Sequence, residues 1–258
     1  MNFTEYIASN GSVILYVGNP DVLQLDDLAK GEGDIWHSSL DQGFANIFPD
    51  IVYQTVTYFW YASDFNNLDK AVSWRVNPSQ FAIRKNTWNA LGGFDNDYGN
   101  LQTAALDFAF NGLRYQGAVP LYIKGLFPAV MEDITISKKE VYTFYFKSFK
   151  RSHAIYMLFR KGFWKPSELR AYHYAKQFKL NPRKNVVAPR QLNAITGKPT
   201  VSYIIPTMLR QDFTLNLLND LEHQTYKPSE VIVVDATPEV SRDYTLYNEN
   251  NYSFKVVF

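Results

Sequence analysis

The stretch Val201–Pro238, VSYIIPTMLRQDFTLNLLNDLEHQTYKPSEVIVVDATP, constrains this chain more than any other. Val201–Ile205 is short, apolar and β-branched, and a proline at Pro206-Thr207 is expected to stop it, because proline cannot continue a central ladder. Phe213, Leu217, Leu218 and Leu221 recur at three- and four-residue spacing, which predicts a helix with those four on its buried face. Pro228 lies beyond the end of that helix, as a stop signal should. Val231–Val234 is a second apolar run, ending on Asp235. Two such strands joined by one helix make a βαβ unit with a buried parallel sheet. Ligands of parallel sheets bind outside the carboxyl ends of the strands, which is where Pro206, Thr207 and Asp235 fall.

Composition narrows the chemistry. The 258 residues suffice for one large domain or two small ones. There is no cysteine, so disulfides, thiolate metal sites and cysteine nucleophiles are excluded. A net charge of +1 predicts no strong global attraction to nucleic acid, and no nucleic-acid partner is expected. No apolar run reaches the roughly 18 residues of a membrane span. The start, MNFTEYIASNGS, lacks the basic and apolar regions of a secretion signal, so a cytoplasmic protein is expected.

Three separated motifs in the βαβ stretch, Ile204-Ile205-Pro206-Thr207, Gln224-Thr225-Tyr226-Lys227-Pro228 and Val233-Val234-Asp235, resemble the opening of family 2 glycosyltransferases of the GT-A fold. Those enzymes transfer a sugar from a nucleotide donor to a glycan or lipid-linked acceptor. The resemblance implies that Pro206, Thr207 and Asp235 flank the nucleoside, with Asp235 on the uracil edge, and that Arg210 neutralises a phosphate or is a solvated helix-start residue. The family's Tyr-Asn is Met208-Leu209 here, and its second strand-end aspartate is Ala236. The partners implied are a UDP- or other nucleotide-sugar and the acceptor.

A second family-like block lies upstream: Ser73-Trp74-Arg75, Ser79 to Arg84, and Leu91-Gly92-Gly93-Phe94-Asp95. The resemblance places Gly92 and Gly93 in a tight loop approaching the sugar, with Trp74 and Phe94 as rings for the acceptor; core packing is the competing role for both rings. It also implies a carboxylate base on the following helix. Here that helix reads Ala104-Ala105-Leu106-Asp107-Phe108 to Arg114-Tyr115-Gln116-Gly117, so Asp107 survives where the family's Glu-Asp positions are Ala104 and Ala105. Asp107 or Asp95 is the candidate catalytic base. Alternatively, Asp107 solvates the helix and Asp95 closes the glycine turn. Upstream again, Ser12–Val17 reads as a strand, Gly18 to Asp21 as a turn and Val22–Lys30 as a helix. The family's strand ends in Asp-x-Asp, holding Mg²⁺ or Mn²⁺ on the donor diphosphate. Only Asp21 stands there, as a remaining metal ligand or as a turn residue, and the expectation is that this chain does not bind the ion. Ile51–Ala62 reads as core strand or buried helix.

Between these blocks, residues 138–190 hold fourteen Lys or Arg against Glu140 and Glu168 alone, threaded with aromatics. Val141–Arg160 and Pro166–Leu180 read as helices broken at Gly162, and Asn181–Thr200 as a linker. Packing as a connector, peripheral contact with the inner face of a membrane and nucleic-acid binding compete for this stretch. His153 and His173 show no metal spacing. The expected fold class is α/β, with GT-A (Rossmann-like nucleotide-diphospho-sugar transferase) elements in two incomplete halves joined by a helical linker. Residues 1–130 form an acceptor-side half, 131–199 the basic aromatic connector and linker, and 200–258 the nucleotide-binding start of a second domain. The halves stand in reverse order for one enzyme. Either the chain is a slice of a longer tandem glycosyltransferase, of weak activity alone, or a circular permutation pairs Val231–Val234 with Ser12–Val17. A non-catalytic scaffold that binds glycan is the alternative from another class.

Overall fold

The computed structural model describes residues 1–39, 68–129, 136–181, 197–246 and 252–258. The expectation for Ile51–Ala62, and most of the linker expected at 181–200, lie outside these. The fold is mixed α/β, and the chain divides into two units, 1–191 and 192–258.

The first unit is built on a six-stranded mixed sheet. Its strands are β1 (Thr4–Ile7), β2 (Val13–Val17), β3 (Ile35–His37), β4 (Lys70–Val72), β5 (Phe81–Arg84) and β6 (Pro120–Ile123). They lie in the order β1-β2-β5-β3-β6-β4, with only β3 and β6 parallel. β3 and β5 are buried at every position, because both faces of the sheet are covered. On one face, Leu25 and Ala29 of α1 (Val22–Lys30) pack with Ile14, Trp36, Ala82 and Leu121. On the other, Trp88 of α2 (Lys85–Leu91) and Ala105, Phe108 and Ala109 of α3 (Leu101–Asn111) meet Leu15, Ile35, Phe81 and Ile83.

α3 is buried at every position from Thr103 to Phe110, so it is covered on all sides although it carries Thr103 and Asp107. Its far face, Ala104, Leu106 and Phe110, packs against a helical layer made of α4 (Lys138–Ser148), α5 (Arg151–Lys161) and α6 (Pro166–Ala175). The basic aromatic stretch therefore shares a core with the first unit. Tyr142, Phe144, Tyr145 and Phe149 are buried there. The chain breaks at Phe149-Lys150 rather than continuing as one helix to Arg160. Neither proline nor glycine marks that break: Phe149 turns inward onto Phe110 and Phe144, at ring-centroid distances of 5.5 and 5.8 Å, and the backbone becomes extended.

In the second unit, β7 (Ser202–Thr207), β8 (Glu230–Asp235) and β9 (Lys255–Val257) form a wholly parallel sheet in that order. α7 (Gln211–Glu222) connects β7 to β8 and covers one face with Leu218 and Leu221, but the sheet is not buried on both faces as expected: Ile204 and Val234 are 68 % and 54 % exposed, because among the described residues no helix packs on that side. Pro206 does not end β7. It pairs in register with Val234, and a proline is tolerated because β7 is an outer strand. Phe213 and Leu217 also depart from expectation, being 73 % and 41 % exposed. Thr214 takes the inward position instead, because its hydroxyl is bonded to Thr207 Oγ1 and Arg210 O (both 3.1 Å), and this sets the rotation of the helix.

One side chain ties the first unit together. Arg84 donates to the carbonyls of Leu28, Ala29, Gly31 and Gly33, the last turn of α1 and its exit, and lies 3.7 Å from buried Asp34. Asp34 in turn accepts from Val119 N–H. Replacing Arg84 by Met leaves a buried carboxylate and four carbonyls short of their donor. This should cost about 3 kcal/mol or more, read as a lower urea midpoint; a midpoint equal to wild type would show that water replaces the guanidinium freely.

Candidate functional site

The strand ends of the second unit bring Thr207 and Asp235 opposite one another in register, with Pro206 beside them. Asp235 is held firmly. Its Oδ1 accepts from Thr237 N–H (2.8 Å), and Arg242 reaches around it, with Nε 3.7 Å from Oδ2 and Nη2 donating to the carbonyls of Asp235 and Thr237. Leu209 N–H donates to Thr237 Oγ1 (2.7 Å) with Leu209 at φ 54°, a left-handed conformation uncommon outside glycine, asparagine and aspartate. The loop after β7 is thus stapled to the loop after β8 across the sheet end. Arg210 is exposed at the start of α7, and its carbonyl accepts from Thr214 N–H. Thr237 and Arg242 belong to this edge and were not picked out in the sequence. Arg242 has no periodic or motif context, and its role depends on a chain reversal after Pro238.

In the first unit, Asp95 and Asp107 line the same pocket, of about 210 Å³, together with Gly93, Asn111, Gln116 and Asn181. Asp107 comes from the middle of α3 and is 3 % exposed. Ser148 Oγ donates to its Oδ1 (2.9 Å) and Asn181 Nδ2 lies 3.4 Å from its Oδ2. Burial pushes the Asp107 pKa up to about 6, against the lowering effect of hydrogen bonds from Ser148 and Tyr98; the negative charge of Asp95 adds to the rise. Asp95 lies in the loop that follows the glycine pair. Its Oδ1 accepts from Asp97 N–H, and its Oδ2 is 2.5 Å from Lys147 Nζ. Lys147 also holds the Asp97 carboxylate and is only 4 % exposed. Burial opposes its charge, but the bonds to Asp95 and Asp97 outweigh this and leave its pKa above the ordinary value. The pocket therefore offers one carboxylate ion-paired with a buried ammonium and one whose pKa is raised to about 6. Lys147 and Ser148 were missed in the sequence; a lysine inside VYTFYFKSF was the available signal.

The remaining expected residues have structural partners. Gly92 is the left-handed cap of α2 (φ 81°), and Gly93 has φ 77°, with a β carbon there falling 3.2 Å from the Trp88 ring. Both glycines are required by the backbone, and Gly93 reaches the pocket. Trp74 stacks on Phe144 (6.1 Å, 13°) and meets Phe110 edge-on. Phe94 sits among Trp88, Phe108 and Phe81, with centroids at 5.2, 5.3 and 5.9 Å. Both rings thus contribute to the cores on either side of α3. Ala104 and Ala105 are buried on opposite sides of that helix, so neither position offers a carboxylate to the pocket without burying it in apolar contacts. Asp21 caps α1: Oδ1 accepts from Leu23 N–H and Oδ2 from Gln24 Nε2. Among the described residues no group of three or more His, Asp or Glu is placed to hold a metal ion. His37, unremarked in the sequence, is buried on β3; Nε2–H donates to Ser73 O (2.8 Å), Nδ1 accepts from Ser39 N–H, and burial lowers its pKa to about 4, so it is a neutral strut.

Comparison with family models, with curated proteins and with solved structures returned no match. The geometry itself is therefore what can be tested. Because the folded state favours protonated Asp107, its stability is greatest below the ordinary carboxyl value of 3.8 and falls as pH rises through about 6. The gap between those values corresponds to ~3 kcal/mol. Asp107→Asn removes this titration. The variant should gain on the wild type by about 1–3 kcal/mol between pH 4 and pH 7.5, measured by denaturant unfolding at both; a difference independent of pH would mean that Asp107 is ionised as readily in the fold as in water.

Proposed function

We propose that the chain is part of a nucleotide-sugar-dependent glycosyltransferase of the GT-A kind, with residues 200–258 binding the nucleoside diphosphate and the Asp95–Asp107 pocket receiving an acceptor hydroxyl. The observation that carries this reading is the β7-α7-β8 unit. Its two parallel strand ends present Thr207 and a rigidly held Asp235 at the edge where such sheets bind ligands. The three family-like motifs quoted above fall on that same unit.

In this reading the Asp235 carboxylate, whose Oδ1 accepts from Thr237 N–H and whose Oδ2 lies 3.7 Å from Arg242 Nε, meets the uracil edge. Arg210, exposed at the start of α7, lies where a diphosphate would follow. Above about pH 6 the Asp107 carboxylate is ionised and can accept a proton from a hydroxyl bound in its pocket. The ion pair of Asp95 with Lys147 at the pocket favours a polar ligand there. The divalent ion implied by the resemblance does not fit Asp21, since both its carboxylate oxygens already serve the cap of α1. No step is drawn through that ion.

The test is calorimetric titration with UDP, alongside assays of donor hydrolysis and transfer. Asp235→Asn keeps the acceptor for Thr237 N–H but sets an amide donor against the uracil N–H. Affinity should fall by about tenfold, ~1.4 kcal/mol, measured below the thermal midpoint of the variant, which itself falls because Arg242 loses its anionic partner. Equal affinity in wild type and variant would remove the nucleoside assignment. UDP binding without transfer under any condition would favour a non-catalytic scaffold.

A further inference from the structure

The basic aromatic stretch ends in a surface that neither the pocket nor the strand edge uses. α5 buries Ala154, Met157 and Leu158 and turns positions 151, 152, 155, 156, 159 and 160 outward. Its outer face therefore carries Ile155, Tyr156 and Phe159, the last 58 % exposed. Gly162 follows with φ +105°, a conformation that other residues rarely adopt, and a β carbon there would lie 3.2 Å from both the Trp164 ring and the Lys165 chain. Lys165 N–H closes the turn on Gly162 O (3.0 Å). The turn sets Phe163 against Phe159 (5.2 Å) and Trp164 against Phe163 (5.3 Å), leaving Trp164 68 % exposed. Four aromatic rings and an isoleucine are thus grouped on one surface by a defined backbone, and exposed apolar groupings of this kind mark interaction sites.

The charge around them identifies the partner. Lys150, Arg151, Arg160, Lys161 and Lys165 flank the rings in the sequence, and no carboxylate occurs between Glu140 and Glu168, although the whole chain carries only +1. A second copy of this surface would oppose two rows of cations. An anionic bilayer matches both features: Trp, Tyr and Phe settle at the boundary of headgroups and acyl chains, while Lys and Arg meet lipid phosphates. We propose that α5 and the Gly162 turn form a docking site for the surface of an anionic lipid bilayer. Contact is peripheral, because among the described residues no helix is long and apolar enough to cross a membrane.

Sedimentation with vesicles tests this independently of the nucleotide assignment, using phosphatidylcholine alone and phosphatidylcholine mixed with phosphatidylglycerol. The full chain should pellet with the mixed vesicles, at least about tenfold less with neutral ones, and less again as salt is raised. Phe159→Ser with Trp164→Ser, and separately Arg151→Glu with Lys165→Glu, should each lower partition by about tenfold or more, with melting temperature unchanged because these side chains are exposed. The proposal is overturned if the wild type does not bind the anionic vesicles, or if it binds them as both variants do. It is equally overturned by a concentration-dependent dimer in sedimentation equilibrium that the Phe159→Ser, Trp164→Ser variant abolishes, with no vesicle binding by the wild type.

Discussion

Helix α3 lies between a sheet and a layer of helices, and most of the first unit depends on that burial. Eight successive residues, Thr103 to Phe110, are inside the protein. Ala105 and Ala109 let the helix approach β3 and β5 closely, while Leu106 and Phe110 fill the opposite side. A carboxylate on such a helix has little water to solvate it, and the raised pKa of Asp107 follows directly. The hydroxyl of Ser148, supplied by the helical layer, offsets part of that cost. The pocket occurs where one wall of α3 opens between the glycine loop and Asn181. The same packing that excludes water from the helix therefore gives its one carboxylate a protonation change near neutral pH.

Buried or half-buried cations join segments distant in sequence at three places. Arg84 gathers four carbonyls at the end of α1, Lys147 holds the loop carrying Asp95 and Asp97 against α4, and Arg242 closes the loop beyond β8 onto Asp235. Each cation has several oxygen partners, as a desolvated charge needs. Two of the three lie at the candidate sites, so the rigidity of the sites and the integrity of the loops depend on the same contacts. Arg84, by contrast, is spent wholly on the end of α1 and its surroundings.

Some of this was legible in the chain. The βαβ unit could be read from two β-branched runs, a helical spacing and a strand-end aspartate, because parallel strands buried on one face tolerate little else. Asp95 and Asp107 were named only through the family resemblance, and the structure brings both to one pocket. Other features depended on partners far along the chain. Pro206 continues β7 because that strand is at an edge, and Phe213 faces out because a Thr214–Thr207 bond rotates α7. Trp74 and Phe94 looked like rings for a sugar, yet they fill the junctions between α3, the sheet and α4. The break at Phe149 had no local signal, since it arises from where that ring finds its cavity.

By itself, then, the sequence determined the mixed α/β class, the parallel unit near its C-terminal end and the exclusion of thiol chemistry. These depend on residue type, period and short spacing, which act locally. Only the tertiary structure decided that Lys147 neutralises Asp95, that Asp107 is desolvated, that Asp21 is used as a helix cap and that the aromatic stretch splits between a buried core and an exposed surface on α5. Those outcomes depend on which distant groups remove water from a side chain. The pattern of residues along one segment does not carry that information.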